Sequence, residues 1–152
     1  MTTTYAEVNG FARSDARKPM HELPYGFGRL LNETDFETAV ATTVHAFEQQ
    51  GFSIASRIDL QQSLKARLEV DFRRYVILAL CDLTLAELAL EVDPHIGLLL
   101  PCNAVVQEGV GGGLYVAVET SQPLFQLTYH PRLKFVALET ERRLRLAVAG
   151  LK

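Results

Sequence analysis

Apolar side chains recur at helical spacing between residues 35 and 50, at Phe36, Val40, Val44 and Phe47, with Ala39 and Ala41 beside them. Thr34-Asp35-Phe36-Glu37 reads as a capping box, in which Thr34 and Glu37 satisfy each other's backbone donors. Gly51 supplies the left-handed residue that ends such a helix. The pattern predicts an amphipathic helix over about 35–50, and a loss on the order of 1 kcal/mol for Thr34→Ala. A second long helix is predicted after Pro131, from Leu133, Val136, Ala137, Leu144, Ala147 and Val148, with Gly150 at its end.

Strand patterns separate these helices. Tyr25–Leu31 reads as a short strand, where Gly26 and Gly28 point to a bulge or a close backbone approach. Phe52, Ile54 and Ile58 alternate with polar or small neighbours, as a half-buried strand does. Asp59 stops that strand and caps a short helix, with Gln62 at the third position and Leu60, Leu64 and Leu68 as its buried side. The nearly continuous apolar run 74–81 suits a central strand covered on both faces, with a buried helix as the alternative. Thr84 and Glu87 form a further capping box, ahead of a helix that buries Leu85, Leu88, Ala89 and Val92 and stops at Asp93-Pro94.

Residues 96–108 read as a strand that Pro101 places at an edge or bulges. Gly109–Gly113 then turns the chain back into a strand over 114–120, which closes a hairpin. The expected core includes Phe36, Val40, Val44, Phe47, Ile54, Ile77, Leu88, Leu99, Val136 and Leu144.

The sum is a two-layer α+β fold, with about five strands in a largely antiparallel sheet and two long helices on one face. Residues 1–22 read as a loosely ordered arm in which His21 is exposed, and 23–152 as one domain.

Composition narrows the class without naming an activity. The chain has 152 residues, 48% hydrophobic and 22% charged, as expected for one globular domain. Its formal charge of −3 argues against a nucleic-acid surface as a global property. No apolar run is long enough to cross a bilayer, and the polar N-terminus lacks a signal-peptide core. A cytoplasmic protein with no membrane partner is expected. Residues 132–152 carry six basic and two acidic side chains, a net +4 against −7 for the remainder. Such a helix binds an anionic partner, or meets the acidic part of its own fold.

Candidate chemistry centres on Cys81 and Cys102. A thiol pair binds a soft metal, cycles through a disulfide or carries sulfur. Two isolated cysteines without a Cys-x-x-Cys motif are too few for a closed zinc site, and free cysteine also packs as a small hydrophobe. His95 stands in the Asp93-Pro94-His95 corner, from where it reaches toward Cys81 or Asp82. His45 reads as a partly exposed helix residue, and His130 before Pro131 as a local cap. The glycine run has no following Lys-Ser/Thr and opens no helix, so it is no phosphate loop. No catalytic motif is present, and no metal site or cofactor is indicated.

Three separated motifs carry a family resemblance: Gly51-Phe52 with Ile58-Asp59, Leu64-Lys65 and Leu68; Tyr75 to Cys81; and Leu98-Leu99-Leu100-Pro101-Cys102-Asn103. The chain resembles the bacterial domain-of-unknown-function family 302 over about residues 25–120. Many members place Asn-Pro after the first cysteine, where this chain has Asp82-Leu83. The resemblance implies a TBP-like α+β fold and a homodimer, and no established reaction. It carries over Asp59, Lys65, Cys81, Pro101, Cys102 and Asn103.

The leading functional expectation is a non-enzymatic small-ligand-binding or accessory homodimer, with a pocket between sheet and helices near Cys81, His95, Cys102 and Asn103. The alternatives are a thiol-based redox, sulfur-transfer or metal-handling protein using Cys81 and Cys102, and an anion or nucleic-acid binder using the basic last helix. The two thiols are expected to be unbonded, because a cytosol keeps thiols reduced and the family-like sheet sets Cys102 several residues from the strand end at Cys81. Cys102, beside Pro101, is expected to be the more reactive.

Overall fold

The computed structural model describes residues 20–122, 126 and 129–152. Residues 1–19, most of the expected arm, lie outside the described residues. The arm's last residues form a strand. β1 (His21–Leu23) pairs antiparallel with β2 (Gly26–Leu31), and His21, expected to be exposed, is buried. Three residues carry too little periodicity to be read as a strand. Their position is held by Glu22, whose carboxylate takes two bonds from Arg145, at 2.7 and 3.2 Å.

The sheet has six strands instead of five, in the order β1-β2-β6-β5-β4-β3. The remaining strands are β3 (Ser53–Asp59), β4 (Tyr75–Cys81), β5 (Cys102–Glu108) and β6 (Leu114–Glu119), and every neighbouring pair is antiparallel. Gly26 and Gly28 are required by close approach. A Cβ on Gly28 would lie 2.3 Å from the Val116 carbonyl oxygen, and one on Gly26 2.4 Å from that of Val118. The β5–β6 turn is closed by Gly109 N–H on the Gly113 carbonyl at 2.9 Å. Gly112 and Gly113 there adopt φ of +89° and +84°, which favour glycine.

Helix α1 (Phe36–Glu48) is capped by Asp35 and not by Thr34. The Asp35 carboxylate accepts from the Thr38 N–H at 2.8 Å and its hydroxyl at 2.7 Å. Glu33 takes the N–H groups of Thr34 and Asp35. Two adjacent capping residues compete here, and the ionised one wins. The loss expected of Thr34→Ala therefore belongs to Asp35→Ala.

The cap of α3 (Leu83–Val92) likewise moves from Thr84 to Asp82, which accepts from Leu85 N–H at 3.1 Å. The caps at Asp59, before α2 (Leu60–Leu68), and at His130, before α4 (Pro131–Gly150), stand as read.

Pro101 does not interrupt a strand. Ile96–Leu99 forms a 3-10 turn that buries Ile96, and β5 begins only after the proline. α1 and α4 pack over one face of the sheet, enclosing Phe27, Val76, Leu78, Ala104, Val106 and Val116 in the main core. A second cluster joins α3, the 3-10 turn and the first half of α4 through Leu85, Ala89, Ile96, Leu133, Val136 and Ala137.

Of the expected core positions, Phe36, Val40, Phe47, Val136 and Leu144 are buried, while Val44, Ile54, Ile77, Leu88 and Leu99 are partly buried. Edge strand β3 is largely exposed, Ile58 included. β4 is covered fully on one face only, because Ile77 on the other face belongs to neither core cluster. α2 buries no residue, and Leu68, expected on its buried side, is 65% exposed. Among the described residues no helix is long and apolar enough to cross a membrane.

Candidate functional site

The end of β4, the start of β5 and the facing parts of α3 and α4 enclose a small cavity. Phe52, Leu80, Cys81, Asp82, Cys102 and Thr140 are among its lining residues. Its volume of about 20 Å³ is room for roughly one water molecule.

The register explains why both cysteines border it. Cys102 pairs with Leu80, so it sits one residue from Cys81 across the ladder and not several residues away. The expected separation along the strand fails because β5 starts at Cys102 and not at Ile96. Alternation now keeps the thiols apart. Cys102 shares the helix-covered face with Leu80, and the next residue, Cys81, projects to the opposite face. Both cysteines are free.

Neither thiol is activated. Burial pushes the Cys81 thiol up from its ordinary value, and the charge of Asp82 adds to the effect. Burial pushes Cys102 to about 12, helped by the charges of Glu119, Cys81 and Glu141 and by a hydrogen bond with Glu119. Cys102 is 5% exposed and Cys81 only partly buried. Cys102 borders a cavity as expected, but the order of accessibility is reversed, since the cavity is too small to open Cys102 to solvent.

Asn103 lies beside the cavity, with its side chain exposed on the sheet face away from the helices. It connects to the site through Glu119. Burial raises that carboxyl's pKa, and hydrogen bonds from the Asn103 backbone, its side chain and the Cys102 thiol pull it back. His95 is not brought in. Its side chain is 86% exposed, 3.5 Å from the Asp93 carboxylate, and it is absent from the cavity lining.

The sequence reading missed the ionic frame around this cavity. The Arg143 guanidinium bonds Asp82 and, at 2.8 Å, Glu139. Gly51 leaves space for this pair, since a Cβ there would lie 3.2 Å from Arg143 Nη1. Glu141 is 3% exposed and accepts from the Thr120 hydroxyl at 2.9 Å, the Ser121 N–H at 3.0 Å and Arg145 Nε at 3.0 Å. A signal was present: Glu141 occupies an apolar-stripe position of α4, four residues after Ala137 and three before Leu144. Among the described residues no group of three His, Cys, Asp or Glu side chains is placed to hold a metal ion.

A larger concavity lies on the outside of the second core cluster. The groove between α3 and the first turns of α4 has a volume of about 360 Å³ and is lined by Leu88, Pro131, Arg132, Phe135 and Val136. Leu83 and Leu90 on α3 and Leu138 on α4 are further exposed apolar side chains of the two helices that frame it.

The family described as domain of unknown function DUF302 matches residues 29–151. The chain belongs to this family. The crystal structure of an uncharacterized conserved DUF302 protein from Bacillus stearothermophilus shares its fold, with a TM-score of 0.77 and 21% identity, covering 86% of this chain and 100% of that one. No curated protein matches the chain.

Proposed function

We propose that this DUF302 protein works by binding, as a homodimeric cytoplasmic accessory protein that holds an apolar small ligand, and not by turning over a substrate. The observation that carries this reading is the α3–α4 groove. Its volume lies within the range of about 300–1,000 Å³ usual for small-molecule sites. Its lining is apolar apart from Arg132, whose ion pair with Glu91 is solvent-exposed and weakly held. The cavity at the cysteines is far smaller and suits a water.

The thiol-based alternative is disfavoured because neither thiol is activated: burial raises both above the ordinary cysteine value. The anion-binding alternative has little free charge on α4. Arg132, Arg142, Arg143 and Arg145 each already face a carboxylate of their own fold.

Titration with the uncharged fluorescent dye N-phenyl-1-naphthylamine tests the reading. Saturable binding to the folded protein is expected, with loss of binding in a folded Leu88→Glu variant. Absence of saturable binding, or a turnover that depends on Cys81 or Cys102, would overturn it.

A further inference from the structure

The α3–α4 groove has one charged lining residue, Arg132, and the start of α4 fixes its place. His130 caps the helix, its Nδ1 accepting the Arg132 N–H at 3.2 Å. Pro131 takes the first position, where a missing donor costs nothing. Arg132 is thus the second residue of α4, beside Leu88, Phe135 and Val136 in the groove. The first turn of α4 has no acidic side chain, and Lys134 and the helix dipole add positive potential at this end.

Arg132 is held differently from the other arginines of α4. Arg142 and Arg143 both bond Glu139, Arg143 also bonds the buried Asp82, and Arg145 bonds Glu22 and the buried Glu141. Among the described residues Arg132 has one acceptor, a single Glu91 oxygen at 3.2 Å. Both side chains of that pair are 58% exposed, so water competes with it on either side.

We infer that the groove takes a small amphipathic carboxylate, its hydrocarbon tail along Leu88, Phe135 and Val136 and its head on the Arg132 guanidinium in place of Glu91. The inference rests on the reading of the groove as a ligand site and adds the chemical class of the ligand. The head follows from charge complementarity. A guanidinium presents a planar fork of donors that matches both oxygens of a carboxylate. Glu91 supplies one oxygen, so a ligand that supplies two gains a bond in the exchange. The released Glu91 stays in water and is left with no desolvation to offset. A cationic head would instead take Glu91 from Arg132, then lie beside an unpaired guanidinium and the positive end of α4. The tail follows from the lining. Phe135 is 59% exposed, and a hydrocarbon chain laid over it removes apolar surface from water on both partners.

Displacement of N-phenyl-1-naphthylamine from the full chain tests this, with decanoate and decylammonium as competitors below their micelle-forming concentrations. The two share a ten-carbon chain and differ in the charge of the head. Decanoate is expected to displace the dye at the lower concentration. Arg132→Gln should weaken decanoate by about fivefold, and Glu91→Gln should strengthen it by about threefold, because it removes the internal competitor. Both positions are exposed, so both variants should fold, which circular dichroism verifies. A wild type that binds no dye overturns the groove reading together with this one. Bound dye that decylammonium displaces as well as decanoate does, or a decanoate affinity that neither folded variant changes, overturns the carboxylate alone.

Discussion

α2 and α4 begin from the same kind of sequence and end in opposite situations. Each starts at a polar cap and repeats apolar residues at helical spacing: Leu60, Leu64 and Leu68 in one, Leu133, Val136, Ala137 and Leu144 in the other. α4 lies across the sheet and shares both core clusters, whereas α2 packs mainly on β4 beside the exposed edge strand and buries nothing. Periodicity reports that a stripe exists. Whether the stripe is covered depends on where the topology delivers the helix.

The sharpest way to break this comparison is truncation in each stripe. Leu144 is fully enclosed in the main core, so Leu144→Ala should cost about 2–5 kcal/mol through lost burial and the cavity left behind. Leu68→Ala, at a 65% exposed site, should stay within about 0.5 kcal/mol. Urea denaturation of both variants measures the contrast. Equal losses would mean that α2 carries core energy after all.

The caps sharpen it further. Asp82 holds the start of α3 and also faces Arg143, so Asp82→Ala removes a cap and leaves a partly buried guanidinium with Glu139 alone. A global loss of about 2 kcal/mol is expected, at the upper end of the usual cost of a lost cap. Asp59→Ala removes the same kind of cap from α2. That helix can fray without opening the core, so global stability should fall by less than about 1 kcal/mol while amide exchange over 60–68 accelerates. Similar global losses for the two variants would show α2 unfolding together with the core.

The same contrast explains what the chain revealed in advance. The long helices, the antiparallel hairpin and the two-layer arrangement were legible, because each rests on a long apolar period with a turn or cap beside it. The three-residue β1 was not, because its place depends on Glu22 reaching Arg145, a contact 123 residues away in sequence. Both cap errors chose the hydroxyl where an aspartate stood one or two residues earlier or later. At the cavity, the cysteines were legible as candidates. Their arrangement was not, because a start of β5 six residues later than read moved Cys102 next to Cys81 and onto the opposite face.

The two thiols turn that arrangement into the last of these effects, one that is absent at pH 7 and emerges only in alkali. Folding holds the Cys102 proton more tightly than the unfolded chain does, since the folded value is about 12 against an ordinary 9.0. The sign is that of a raised pKa: the stabilisation is fully present below about pH 9 and is lost as pH rises toward 12. One linked proton removes about 1.4 kcal/mol for each pH unit in that window, and nothing at pH 7. Cys102→Ala also loses packing, so the slope of stability against pH carries the test, and the level at one pH does not. Wild type should lose stability between pH 9 and 10 more steeply than Cys102→Ala, by about 1 kcal/mol, because the unfolded thiol is already half ionised at pH 9. Cys81→Ala should change the slope less, because its thiol is only partly buried. In the native protein an aromatic disulfide reagent should label Cys81 first and reach Cys102 only on unfolding. Rapid native labelling of Cys102, or identical alkaline slopes in all three proteins, would mean that the thiol is not shut in the core, and would return it to the candidates for reactive chemistry.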